Sequence, residues 1–146
     1  MGKFAQGRFV PKNPEKYVGT KTPIYRSSWE WTFMRTCDEN PSIQQWASES
    51  IKIPYRDPTT GKQTVYVPDF LIVYVDKTGK KHAEIVEIKP ANQTVLEQVG
   101  KNFGRQMQYV KNLAKWEAAR AYAKQMNITF RIINENDLFA NNGKNK

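Results

Sequence analysis

The sequence predicts a mixed α/β fold, one central β-sheet flanked by helices in a single domain. Three observations predict it. Two apolar, β-rich runs, QTVYVPDFLIVYV and KHAEIVEIKP, flank the turn DKTGK and read as a β-hairpin. A helical pattern follows over about 94–125, and after it comes another strand-like run, NITFRII. The chain has 146 residues, 39% hydrophobic and 12% aromatic, enough for one modest core and too apolar for wholesale disorder. Elements interleaved in this way pack as layers around a sheet.

Taken in order, residues 1–25 are rich in Lys, Gly and Pro without a clear period, and read as an extended basic arm that orders on a partner. In RSSWEWTFMRTCDEN, Trp29, Phe33, Met34 and Cys37 recur at helical spacing, so a first helix is expected over 27–38, ended by Asn40-Pro41. IQQWASESIKIPY carries a short strand over 51–55, and RDPTTGK is a turn. The hairpin comes next. Pro68 cannot donate to a ladder, so its place should be an edge, a bulge or a gap in pairing. The helical region is expected to break near Gly100–Gly104, NITFRII is a final strand and ENDLFA a short terminal helix. The expected organisation is an arm over 1–25, a folded domain over 26–140 and a polar tail over 141–146, without repeats.

The formal net charge is +9 and the pI about 9.7. A small protein this basic points to a polyanionic partner, with nucleic acid first, against the alternative of a merely solvated basic surface. Cys37 is the only cysteine, so no internal disulfide is possible, and its apolar helical setting marks it as a buried structural thiol. His82 is also alone, which leaves zinc almost nothing to bind. No run approaches the roughly 20 apolar residues of a membrane span, and MGKFAQGRFVPK lacks the apolar core of a signal peptide. A soluble intracellular protein is expected, with no membrane partner and no small-molecule cofactor.

The chemistry concentrates in the hairpin. Strand side chains alternate, so Val65, Val67, Asp69, Leu71 and Val73 should share one face, and Ala83, Ile85, Glu87 and Lys89 another, with Val86 and Ile88 turned away. A hairpin folded about Thr78 sets Asp69 nearly opposite Glu87. Two carboxylates side by side in a partly apolar setting repel and tend to take up a proton. A divalent cation relieves this, and Mg²⁺, with Mn²⁺ as second choice, favours one or two carboxylates plus water and phosphate oxygens. Lys89 lies two residues beyond Glu87 on the same face, where its ammonium can approach a metal-bound water or the scissile phosphate. The three make a phosphodiester-hydrolysing set; the alternative is an ordinary cross-strand salt bridge. The Pro68-Asp69 dipeptide and the net charge weigh towards a site.

Pro68-Asp69 followed by Glu87-Ile88-Lys89 resembles the PD-(D/E)xK motif of restriction-endonuclease-like nucleases. The resemblance implies a restriction-endonuclease-like core over 26–140, with the motif on a central hairpin. It also implies an acid from an earlier helix joining the metal site, a position matched by Glu30. Ser27-x-x-Glu30 is equally a capping box, in which the acid satisfies backbone amides. Glu49 is a further nearby acid. VPKNPEKYVG, YRSSWE, WASES–IPY, the PDF/EIKP hairpin and KWEAARAYAKQMNITFRIINENDL, in that order, are similar to the head-completion nuclease family of contractile-tailed bacteriophages. That resemblance implies a Mg²⁺-dependent exo- and endonuclease acting on double-stranded DNA as a filled head is readied for its tail. It also implies head, portal and neck proteins as partners, in the host cytoplasm during assembly or on the virion. The rival is a non-catalytic, basic DNA-binding structural protein of the phage neck or packaging machinery. A subunit of a transposase-like or restriction endonuclease is a third reading; it would require sequence-dependent cutting, and the short length without a separate recognition domain weighs against it.

Elsewhere, Lys101, Arg105, Lys111, Lys115, Arg120 and Lys124 stud the long helical region, and the first four are the candidate phosphate contacts, against a solvated helix face. Gln106 and Tyr109 could line a substrate channel, Tyr109 equally the core. Trp116 and Tyr122 should pack on the sheet. Trp29 and Trp31 point apart on a helix, so Trp31 is expected to be an exposed aromatic available for DNA or protein contact.

Overall fold

The hairpin turn is built by Asp76, whose Oδ1 accepts the N–H groups of Thr78 (2.9 Å) and Lys80 (3.0 Å), with Gly79 taking the positive φ of 85° that the turn requires. His82 closes the same turn, 2.7 Å from Asp76 Oδ2. The turn is the exposed tip of the hairpin in a computed structural model that describes residues 6–94 and 99–138. In chain order the elements are β1 (Gly7–Arg8), β2 (Ile24–Tyr25), α1 (Ser28–Glu39), β3 (Ile43–Ser48), β4 (Ile53–Arg56), β5 (Gln63–Tyr66), β6 (Phe70–Val75), β7 (Lys81–Ile88), α2 (Phe103–Gln125) and β8 (Thr129–Ile133). The main sheet has the order β3-β6-β7-β8, antiparallel except for the parallel pair β7/β8 that α2 bridges. The mixed sheet with flanking helices is the predicted fold class.

One face of the sheet carries Phe70, Ile72, Val86, Ile88 and Ile133, packed against Phe33, Met34 and Cys37 of α1 and against Phe9 and Leu138. The other carries Phe130 and Ile132 under Trp116 and Ala119 of α2 and under Ile53, Tyr55 and Tyr66 of the small β4–β5 ribbon. Strand β7 is therefore buried on both faces, as a central strand bordering a parallel pair should be. Cys37 is fully buried, and burial pushes its thiol far above the usual range, which leaves it inert.

Four expectations need correction. The stretch before the hairpin holds two strands rather than one. β3 was missed because Gln44 and Gln45 hide its period, and the strand expected at 51–55 runs instead over Ile53–Arg56. QTVYVPDFLIVYV is not continuous: it breaks at Val67–Asp69 into β5, which pairs with β4, and β6, which pairs with β3 and β7. Val65, at 51% exposure, therefore does not share a face with Asp69 in one sheet; Pro68 sits in the gap, where its missing N–H costs no ladder bond. From Gln6 to Tyr25 the segment expected as an extended arm lies on the domain. Phe9 is buried, Tyr17 packs on Trp46 with ring centroids 4.6 Å apart, and Asp38 accepts the N–H groups of Lys12 and Asn13, both at 2.9 Å. Trp31 is half-buried against Phe9, with Arg35 over its ring, rather than offered to solvent.

α1 starts one residue later than expected, with Ser27 as its N-cap, and Trp116 is buried with Tyr122 packed beside it. Gly100 has a φ of 81° just ahead of α2, as the expected break near 100–104 requires, and Asn102 caps the helix. Residues 135–138 begin the short terminal helix; its last two positions, the tail over 141–146 and the first five residues of the arm lie outside the described residues. No helix among the described residues is long and apolar enough to cross a membrane.

Candidate active site

The β6–β7 register pairs Phe70 with Val86, and one step further it sets Asp69 against Glu87. There the side chains replace the backbone ladder. Asp69 N–H donates to Glu87 Oε1 (3.3 Å), and Ile88 N–H donates to Asp69 Oδ2 (2.8 Å). Each carboxylate is thus oriented by the other strand's backbone, with Glu87 Oε2 turned towards Lys89 and Asp69 Oδ1 left for a further partner. β3 holds the other flank, with Glu49 N–H on the Asp69 carbonyl (3.0 Å). Lys89 follows β7, its own N–H on the Ile133 carbonyl (3.0 Å) and its Nζ 3.7 Å from Glu87 Oε2.

The electrostatics are those of an under-neutralised pair. Burial and the neighbouring Glu87 charge hold the Asp69 carboxyl well above the usual carboxylate range. Burial also raises Glu87, although Tyr66, Lys89 and the Asp69 N–H pull the other way. The Tyr66 hydroxyl is buried against Glu87, near enough to act on its proton affinity, yet among the described residues makes no hydrogen bond of ordinary geometry. Lys89 at 3.7 Å, helped by the Lys115 charge from α2, does not offset two buried carboxylates. Two oriented carboxylates with surplus negative charge are a donor set suited to a hard divalent cation.

Glu30 stands beside this pair without joining it. Its N–H donates to Ser27 Oγ (3.1 Å) and its Oε1 accepts the Arg26 N–H (2.8 Å), so it works as a cap, reaching the residue before the N-cap. Burial raises its carboxyl, and the charges of Glu49 and Glu87 add to the rise. Among the described residues no three His, Cys, Asp or Glu side chains form a ready metal cluster. Glu49 is taken up by Arg26, 3.2 Å from both Nε and Nη2, and its own φ of 51° turns the chain out of β3.

The helix cations divide. Lys115 reaches the site, its Nζ 5.5 Å from the Tyr66 ring centre. Lys111 is spent on Asp57 at 3.4 Å. Lys101 and Arg105 are exposed at the start of α2, Arg105 lining a cavity of about 200 Å³ with Tyr109 and Asn112. Gln106 bonds the Gly100 carbonyl (2.9 Å). Tyr66 was missed by sequence reasoning, because a lone tyrosine ahead of Pro68 carries no signal until the β4–β5 ribbon folds it over the acids.

The TnsA-like endonuclease N-terminal family model matches residues 40–135, which contain Asp69, Glu87 and Lys89 but not Glu30. No curated protein matches the chain. The match spans most of the chain, and its domain type lies in the restriction-endonuclease-like superfamily, the fold class seen here. The chain therefore belongs to the TnsA-like endonuclease N-terminal family and carries a nuclease-type domain.

Proposed function

We propose that the protein is a metal-dependent DNA nuclease that hydrolyses phosphodiesters at Asp69, Glu87 and Lys89. The observation that carries this is the pairing of Asp69 with Glu87 across β6 and β7, oriented by backbone amides and short of positive charge. Asp69 and Glu87 would hold Mg²⁺ or Mn²⁺, which when bound supplies charge for the developing oxyanion and acidity for water. Lys89 lies alongside, where its ammonium can orient the nucleophile and offset phosphoryl charge. The net charge of +9 supports double-stranded DNA as substrate. Lys101, just ahead of α2, and Arg105, in its first turn, are exposed and would add phosphate contacts. Among the described residues no element reads as a base-recognition device, and cutting should depend little on sequence.

The ordered blocks from VPKNPEKYVG to KWEAARAYAKQMNITFRIINENDL support a role in head completion and head–tail joining of a contractile-tailed phage. Portal and neck proteins would then be its partners, in the host cytoplasm during assembly and on the virion. A second reading, favoured by the family match, is a subunit of a larger endonuclease with sequence-dependent cutting. Incubation of the full chain with plasmid and linear duplex in Mg²⁺, Mn²⁺ or EDTA tests the chemistry. Cleavage should require the cation and vanish in Asp69→Asn; EDTA-resistant cleavage, or salt-sensitive binding without cleavage, defeats it. Cuts spread over unrelated sequences support the first biological setting, and cuts confined to one sequence support the second.

A further inference from the structure

Lys115 is placed at a cost that the described residues repay only in part. It projects from the sheet-facing side of α2 onto the face of Tyr66, its Nζ 5.5 Å from the ring centre, and is half-buried there. Burial and the nearby Lys89 charge both work against its ammonium, and Glu87 only partly compensates. Lys111, one turn earlier, has Asp57 at 3.4 Å; among the described residues Lys115 has no ion pair. Arg120, further along, rests over Phe130 at 5.6 Å. Among the described helix cations, then, Lys115 is the one set over Tyr66 and near Glu87, with no carboxylate within ion-pair distance and a second ammonium nearby. Tyr66, 3% exposed, holds it there, its hydroxyl buried beside Glu87. Two ammonium groups converging on one partly desolvated spot are favourable when an anion lies between them.

We propose that Lys115 is a phosphate-holding residue of this site, gripping a phosphodiester of the bound strand from α2 while Lys89 grips it from β7, with Tyr66 as the residue that positions Lys115. The inference rests on the nuclease reading for the location of the strand, and its test does not depend on cleavage. Anisotropy of a short fluorescein-labelled duplex in EDTA gives affinity and its salt dependence for the full chain. Lys115→Met keeps the stem over Tyr66 and removes the charge. It should weaken binding about tenfold and flatten the slope of log affinity against log salt by about one contact. Lys115→Arg should stay within about threefold of wild type, and Lys124→Met, at the exposed end of α2, within about twofold. Lys115→Gln serves if the methionine variant melts early by circular dichroism. Wild-type affinity and an unchanged slope in a folded, charge-free variant would overturn the proposal. Where wild type binds DNA but Mg²⁺ elicits no cleavage, the nuclease reading falls and the binding comparison still decides the role of Lys115.

Discussion

Strand β7 buries two glutamates on opposite faces and treats them in opposite ways. Glu84 meets Arg131 at 3.0 Å and the Thr129 hydroxyl at 3.3 Å, so its charge is answered from the neighbouring strand β8. Glu87 faces α2, meets a second carboxylate and has, among the described residues, a single ion pair, Lys89 at 3.7 Å. Both side chains are about nine-tenths buried, with 10% and 8% exposure. Burial alone therefore does not mark a site. The mark is a buried charge whose account is left open, because only an external partner can close it.

The largest effect expected from this contrast is on cleavage. Glu87→Gln and Asp69→Asn should each lower it by about a thousandfold or more, the loss of roughly 4 kcal/mol of transition-state stabilisation. Glu84→Gln should leave cleavage within about threefold and cost only about 1 kcal/mol of stability, since Arg131 is 46% exposed and can be rehydrated. Equal loss at both glutamates would break the comparison. Next in size, Mg²⁺ at about a hundred times its dissociation constant should stabilise wild type by about 2.7 kcal/mol in thermal melts, and Asp69→Asn far less.

A pH series sharpens the contrast further. A carboxyl held above its unfolded value favours the native state when protonated. The stability of metal-free wild type from this pair is then present at low pH and lost as pH rises from the ordinary carboxylate range through the raised one. Melts in EDTA should show Glu87→Gln gaining on wild type with rising pH, by about 2–4 °C at neutrality, the scale of ~1 kcal/mol. A gap that closes with rising pH would contradict the sign. The smallest and most discriminating effect is at Glu30. As a cap only, Glu30→Gln should change cleavage by less than about tenfold; a hundredfold loss would make it a cation ligand as well.

The acid pair was legible because hairpin register is arithmetic: a turn centred on Thr78 fixes Asp69 against Glu87, whatever surrounds it. The helices were legible from Ser27 and from the spacing of Phe33, Met34 and Cys37. What stayed hidden depends on tertiary contact. β3 has two exposed glutamines before its buried half, so alternation fails until the sheet forms. Trp31 was assigned to solvent because nothing local shows that Phe9 folds back onto it. Lys115 stood undistinguished among four candidate phosphate contacts, since only the β4–β5 ribbon brings Tyr66 beneath it.

Asp38 carries a practical consequence for handling the molecule. It is 1% exposed, and its side chain is satisfied solely, among the described residues, by the backbone amides of Lys12 and Asn13, while Lys16 and Asn13 cap its carbonyl. Proteolysis or trimming behind Asn13 would strand an anion in the interior and loosen the helix that bears Glu30. The basic leading stretch is thus a clasp on the nuclease-type domain, and preparations that lose it should be recovered as unfolded or aggregated material.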